Sequence, residues 1–131
     1  MVAFEVQTPD RCALVDISDR VAAAVAGVRG EAVAVVFVPH TTAGVTINEN
    51  ADPSVRRDLD QALTRLAPRD AGYSHLEGNA DAHVKASLVG SSACVPVKDG
   101  RLLLGTWQGV YLAEFDGPRR RRVTVVVVPA L

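Results

Sequence analysis

Apolar residues along this chain gather in short stretches that alternate between a period of two and a period near three and a half, with polar and turn-forming residues between them. Ala3 to Gln7 and Cys12 to Ile17 predict two strands joined by a turn at Thr8-Pro9-Asp10-Arg11. Ser18 is placed to cap a helix through Ala26 that Gly27 ends. Ala32 to Val38 is an unbroken apolar run whose Val and Phe content suits a strand buried on both faces. Gly44 to Asn48 is strand-like again. Asp52-Pro53 then supplies a cap and a first-turn proline ahead of Val55, Leu59, Leu63 and Leu66, an apolar stripe at helical spacing whose polar side is Arg56, Arg57, Asp58 and Asp60.

A further, short helix is expected from Asp81 to about Leu88. The last third reads as a meander. Ala93 to Val97 and Arg101 to Gly105 flank a three-residue loop, Lys98-Asp99-Gly100, and Gln108 to Phe115 turns through Asp116-Gly117-Pro118 into Arg122 to Val128. The fold class is therefore α+β: a compact sandwich of largely antiparallel or mixed sheet with two main helices, in one domain over residues 1–131. The amount of Val-rich strand exceeds what two helices can cover, which implies self-association.

Composition narrows the functions. The 131 residues are 48% hydrophobic but only 5% aromatic, so the core is Val, Ala and Leu. A net charge of −1 gives no electrostatic footprint for nucleic acid, and the apolar runs fall far short of the roughly 20 residues of a membrane span. The opening residues lack a secretory pattern, and the cytoplasm is the expected compartment. Cys12 and Cys94 are then two buried thiols.

All three histidines, His40, His75 and His83, fall in the interval rich in Thr, Asn, Asp and Glu. His40 ends the central strand and opens His40-Thr41-Thr42-Ala43-Gly44. His75 and His83 bracket a stretch whose Gly78 and Asn79 permit a tight turn. Three neutral imidazoles can hold a divalent ion, zinc or magnesium, with a position open for water or substrate; the competing reading is three unrelated histidines on polar loops. Thr41, Thr42, Asn48, Glu49, Asn79 and Asp81 crowd the same interval, and polar groups near a core need partners. Gln108 and Glu114 lie six apart on one strand, roughly 20 Å: Gln108 suits a pocket, and Glu114 an arginine partner or a neighbouring subunit. Trp107 is either a core or interface aromatic or a stacking platform. In Arg119 to Arg122 alternate members share a face, so Arg119 and Arg121 could bind an anion together or form a solvated surface. Glu49 is a candidate general base, or an ion-pair partner of Arg56 or Arg57.

With these motifs in place, the chain resembles the YjbQ family, often labelled secondary thiamine-phosphate synthase, over nearly its whole length. The resemblance rests on His40-Thr41-Thr42-Ala43-Gly44 with Asn48-Glu49-Asn50 and Asp52-Pro53, on Gly78-Asn79-Ala80-Asp81-Ala82-His83-Val84-Lys85, and on Gly105-Thr106-Trp107-Gln108-Gly109 followed by Glu114-Phe115-Asp116-Gly117-Pro118-Arg119. It implies a homotrimeric α+β sandwich with polar pockets near subunit contacts. It also implies joining of a pyrimidine methyl pyrophosphate to a thiazole phosphate with release of pyrophosphate. Growing negative charge on that leaving group needs cations or donors, for which Arg119, Arg121, Lys85, the amides opening the Asp81 helix and a metal are the candidates. Three functions are thus expected to compete: a metal-assisted enzyme on a small phosphorylated substrate, with His40, His83 and Glu49 catalytic; a trimeric binding module for a small anionic metabolite; and a purely structural trimer.

Overall fold

The structure is a computed structural model that describes all 131 residues. Its elements follow in the order β1 (Val2–Gln7), β2 (Ala13–Asp16), α1 (Ser18–Val25), β3 (Glu31–Phe37), β4 (Ala43–Glu49), α2 (Pro53–Leu66), α3 (Ala80–Val89), β5 (Ser92–Lys98), β6 (Arg101–Leu102), β7 (Gln108–Glu114) and β8 (Arg120–Pro129). Every strand pairing is antiparallel. Five strands form one sheet in the order β1-β8-β3-β5-β6, and β2-β7-β4 form a second. The fold is the expected α+β sandwich, and its three helices fall on the three segments where the pattern places a helix.

Local chemistry explains the boundaries. Asp52 accepts a hydrogen bond from the Ser54 amide at 2.9 Å, and Pro53 occupies the first turn of α2, satisfying one donor and removing another. At α1 the capping side chain is Asp16, which accepts from Ser18 N at 2.9 Å. Ser18, expected to cap, instead accepts from the Val110 amide at 2.9 Å and pins the helix to β7. The β5–β6 connection also differs from expectation. Lys98 pairs with Arg101, which leaves a two-residue loop, Asp99-Gly100, with positive φ at both residues, the conformation that matches the strand twist.

The two sheets face one another across a core of small aliphatic side chains. Val6, Val123 and Val125, with Ala34 and Val36, come from the larger sheet, Val45, Val110 and Leu112 from the smaller, and Val21 and Val25 of α1 close one end. The helices α2 and α3 lie on the other side of the smaller sheet, where Ala82 and Ala86 meet Ala113 and Phe115, with Leu63 and Leu14 against them. The C-terminal end of α3 comes close enough to β4 for the Val45 amide to donate to Gly90 O at 3.0 Å. A Cβ on Gly44 would run into that same carbonyl oxygen, so glycine is required there by space.

This layering overturns three expectations. The strands β1 and β2 are not a hairpin, because they belong to different sheets, and the last third is not a meander: β7 crosses to the smaller sheet and β8 returns. The strand buried on both faces is β7, from Gly109 onward, not β3. On β3 only Ala32, Ala34 and Val36 are buried, while Val33 and Phe37 are 37% and 42% exposed. No helix covers the outer face of the five-stranded sheet, so the Val-rich run on β3 is half core and half surface.

Candidate functional site

The site is organised by an ion pair that links the two sheets. Glu114, the last residue of β7, and Arg121, at the start of β8, are both buried, and Arg121 Nε lies 2.9 and 3.1 Å from the two carboxylate oxygens. Further hydrogen bonds surround the pair. Thr8 Oγ1 donates to Glu114 Oε1 at 2.7 Å and accepts from the Arg119 amide at 2.9 Å. The amides of Phe115 and Asp116 donate to Oε2, both at 3.0 Å. Arg121 Nη2 donates to Thr42 Oγ1 at 2.8 Å and to Thr42 O at 3.2 Å. One carboxylate thus ties together the end of β1, the end of β7, the start of β8 and the segment leading into β4. Burial alone would raise the Glu114 pKa, but the hydrogen bonds from Arg121, Asp116 and Thr8 outweigh it and hold it below the ordinary 4.5.

That frame sets the chemistry of His40. The β3–β8 ladder ends at Phe37 opposite Thr124, and the next β8 amide on that side, Arg122 N–H, donates to His40 Nε2 at 2.9 Å. The imidazole therefore stands where the ladder would have continued. Burial lowers its pKa, and the Arg121 charge lowers it further. An Nε2 that accepts a hydrogen bond carries no proton, so His40 is a neutral imidazole that offers Nδ1–H outward as a donor.

Two depressions meet at His40. One, of about 500 Å³, is lined by His40, Thr41, Thr42, Ser91, Arg119 and Arg121 together with Phe37, Val38 and Pro39. The other, of about 490 Å³, shares His40, Thr41 and Ser91 and adds His83, Ala86, Ser87 and Gly90 of α3 with Ala43. Neither lining contains a carboxylate. Arg119 is exposed and fastened on one side only, through Nε to Asp116 O at 2.9 Å and Nη2 to Asp116 Oδ2 at 3.1 Å. The expected partnership of Arg119 and Arg121 is corrected accordingly: they share a cavity, but the charge of Arg121 is spent on Glu114.

Several candidate residues hold the structure together instead of facing the depressions. Asp81 is buried against Arg11 Nη2 at 3.0 Å and Lys85 Nζ at 3.7 Å. Lys85 is 2% exposed, so it is no free anion ligand. Asn79 donates from Nδ2 to Asp116 Oδ2 at 2.8 Å. Asn48 caps its neighbour's amide, accepting from Glu49 N at 2.7 Å. Glu49 pairs with Gln108 at the opposite end of the β4–β7 ladder from Ala43 and Glu114, roughly 20 Å away along the strand. Within one chain Glu49 is therefore no base for His40, and Gln108, which accepts from Gly105 N at 2.8 Å, belongs to that far end. Trp107 is 63% exposed there and is not a core residue. The residues that sequence reasoning passed over are Thr8, Arg11 and Asp116. Thr8 and Arg11 carried one signal, polar groups in a turn that must end against the interior.

The three imidazoles do not form one ligand set. His75 and His83 are neighbours, with ring centroids 5.1 Å apart and planes at 79°, but His40 has given Nε2 to a backbone amide. No group of three or more His, Cys, Asp or Glu side chains gathers as a metal ion requires. Zinc needs three or four such ligands and magnesium carboxylates; the donor set of a single chain fits neither. Cys12 is half-buried beside Lys85, its pKa raised by burial, and Cys94 is exposed on the outer sheet face, which corrects the reading of both as buried thiols.

A two-sheet α+β sandwich with two helices backing the smaller sheet, and a donor-lined rim where the larger sheet's central strand ends, defines the class of this protein. The chain belongs to the YjbQ family: the pattern described as UPF0047 protein YjbQ-like matches residues 2–130. It is 51% identical to the UPF0047 protein of Methanocaldococcus jannaschii over 126 residues, covering 95% of this chain and 91% of that one. It is 47% identical to YugU of Bacillus subtilis, covering 90% and 91%. Among solved structures, a YjbQ/UPF0047 protein from Clostridium acetobutylicum superimposes with a TM-score of 0.94 at 48% identity, over 98% of this chain and all of that one. A YbjQ-like protein from Sulfolobus solfataricus gives 0.93 at 31% identity, over 98% and 96%.

Glu114→Gln leaves a buried guanidinium without its counter-charge and should cost on the order of 3 kcal/mol in urea denaturation at pH 7. Because the folded-state pKa of Glu114 lies below 4.5, the pair's contribution is complete above about pH 4.5 and is lost as pH falls through the depressed value. The variant should therefore lack the acid-side decline attributable to this group. A loss below about 1 kcal/mol, or an unchanged acid limb, contradicts the role assigned to the pair.

Proposed function

We propose that the chain acts on a small phosphorylated metabolite whose anionic group sits in the depression between His40 and Arg119. The observation that carries this reading is the lining: the depressions that meet at His40 present hydroxyls of Thr41 and Ser91, a neutral imidazole donor and a half-committed guanidinium, with no carboxylate among them. A phosphate needs donors around it and no competing negative charge. The buried Glu114 neutralises Arg121 and leaves Arg119 as the exposed cation.

The roles follow from the geometry. Arg119 and His40 Nδ1–H hold the anion, Thr41 and Ser91 orient it, and His83, whose ring has no hydrogen-bond partner within the chain, is the group free to exchange a proton. In the reaction attached to the family, where pyrophosphate leaves as a pyrimidine methyl group is joined to a thiazole phosphate, such donors would stabilise charge on the departing group. Asn48, Glu49 and Gln108 contribute from a neighbouring copy or not at all.

Assembly belongs to the same reading. The outer face of the five-stranded sheet carries Val33, Val35 and Phe37 of β3 beside Val126 and Val128 of β8 and Pro96 of β5. An apolar stripe of that extent is what a second copy would bury, and the homotrimer implied by the resemblance would use it. Light scattering at micromolar concentration should return three times the 13.9 kDa chain mass; a persistent monomer contradicts the assembly.

For the anion site, inorganic pyrophosphate should bind the wild-type protein in isothermal titration, and Arg119→Ala should weaken it by roughly 1.5 to 3 kcal/mol, the range for hydrogen bonds to a charged group. Affinity that survives Arg119→Ala unchanged would show that this arginine is surface charge and remove the main support for a phosphorylated substrate.

A further inference from the structure

We propose that His83 is the nucleophile of a phosphoanhydride hydrolase, taking a phosphoryl group onto its ring and passing it to water. This rests on the anion site proposed above and gives the depression beside it a task. The reaction differs from the joining step implied by the resemblance, in which pyrophosphate leaves whole as a carbon–oxygen bond breaks. Here a phosphorus–oxygen bond breaks.

The two depressions that meet at His40 supply the layout. Arg119 lines only the one of about 500 Å³ and His83 only the one of about 490 Å³, while His40, Thr41 and Ser91 line both. A substrate with two linked phosphoryl groups spans that junction with one group in each. The group beside Arg119 faces a guanidinium and the His40 Nδ1–H, so negative charge that grows on it is stabilised. The other group faces His83. The walls around that ring include Ala43, Ala86 and Gly90, small residues that leave a phosphorus atom room to approach, and Ser87 Oγ is engaged with the backbone, donating to His83 O at 3.0 Å.

The ring of His83 is held in place without being used. His75 stands against it edge to face, with centroids 5.1 Å apart, and neither nitrogen has a hydrogen-bond partner in the chain. An imidazole nitrogen that carries no proton is a nucleophile at neutral pH. His40 is unsuited to that role, because the Arg122 amide occupies its Nε2 and the proton sits on its Nδ1.

The class of substrate follows from the acids available. Neither lining holds a carboxylate, Lys85 is buried against Asp81, and His40 is held neutral, so nothing is placed to protonate a departing alkoxide. A phosphate leaving from an anhydride departs as a stable anion and needs no such proton. In the first step the His83 lone pair forms a nitrogen–phosphorus bond while the bridging oxygen leaves with its bonding pair as phosphate. In the second, the oxygen of a water molecule bonds to that phosphorus, the nitrogen–phosphorus pair returns to the ring, and the proton of the water stays with the released phosphate. Pyrophosphate and water thus give two phosphates, with the ring restored and nothing oxidised or reduced.

The test uses the full chain and inorganic pyrophosphate, with a chelator throughout to remove hydrolysis by trace metal. Wild-type protein should release phosphate, and protein quenched in alkali during turnover should carry one phosphoryl group that acid removes, the behaviour of a nitrogen–phosphorus bond. His83→Asn and His83→Gln should carry no phosphoryl group and turn over roughly a thousandfold more slowly or not at all. Both should still bind pyrophosphate in isothermal titration, because Arg119 and His40 remain. Glycerol 2-phosphate, whose leaving alkoxide needs a proton, should yield no phosphate. Three results each overturn the nucleophile while leaving the anion site standing: pyrophosphate that binds in an Arg119-dependent manner but forms no acid-labile phosphoryl group, turnover that survives in both His83 variants, or glycerol 2-phosphate hydrolysed as readily as pyrophosphate. Pyrophosphate that does not bind the wild-type protein removes both readings.

Discussion

The buried pair of Glu114 and Arg121 is the interaction on which the rest of this structure depends. It joins the smaller sheet to the larger at the one place where β7 ends and β8 begins. A carboxylate and a guanidinium withdrawn from water cost more than their mutual attraction returns unless every remaining donor and acceptor is matched. Here Thr8 and two backbone amides serve the carboxylate, and Thr42 serves the Nη2 end of the guanidinium. The same arrangement determines what lies above it: Thr42 is held by Arg121, His40 precedes Thr42 by two residues, and its imidazole is locked by the amide of Arg122. Stability and the state of the candidate site are thus two consequences of one contact.

A second network, anchored on α3, runs parallel to the first. Lys85 and Arg11 share Asp81, Arg11 reaches Asp116 at 3.9 Å, and Asp116 holds both Arg119 and Asn79. Both networks converge on the turn between β7 and β8. One aims a neutral imidazole and the other aims an arginine, so the two sides of the depression are positioned by separate sets of charges. The exposed outer face of the larger sheet lies next to this rim, since Phe37 belongs to both.

Much of the fold was legible because it is written in local pattern. The helix from Pro53 to Leu66 follows from Asp52-Pro53 and a 3.6-residue stripe, and His40 was placed at the end of a central strand by the apolar run before it. What pattern could not reveal was the sheet to which each strand belongs. A run such as Ala32 to Val38 looks the same whether one face or both are covered, and β7, which contains Tyr111 and Glu114, is the strand that is enclosed because α2 and α3 lie behind it. The site shows the same limit. Proximity in sequence grouped Glu49 with His40, but a strand carries residues apart at about 3.3 Å each, and grouping the three histidines ignored that a backbone amide could claim one of their nitrogens. Glu114 was legible as a partner for an arginine, and Arg121 as a cation near the site; that the two are each other's partner, seven residues apart and across two sheets, was not.

The protonation state of His40 tests the central claim most directly, because it depends on the Glu114–Arg121 frame and in turn sets what the site can bind. In ¹⁵N-correlated NMR of imidazole-labelled protein, His40 should be neutral at pH 6.5, with its proton on Nδ1 and Nε2 showing the shift of a hydrogen-bonded acceptor. Its titration should fall below the ordinary value of 6.5. A His40 protonated on Nε2, or one that gains its second proton at or above pH 6.5, would contradict the account, since the imidazole would then be neither anchored by Arg122 nor held neutral by burial and Arg121.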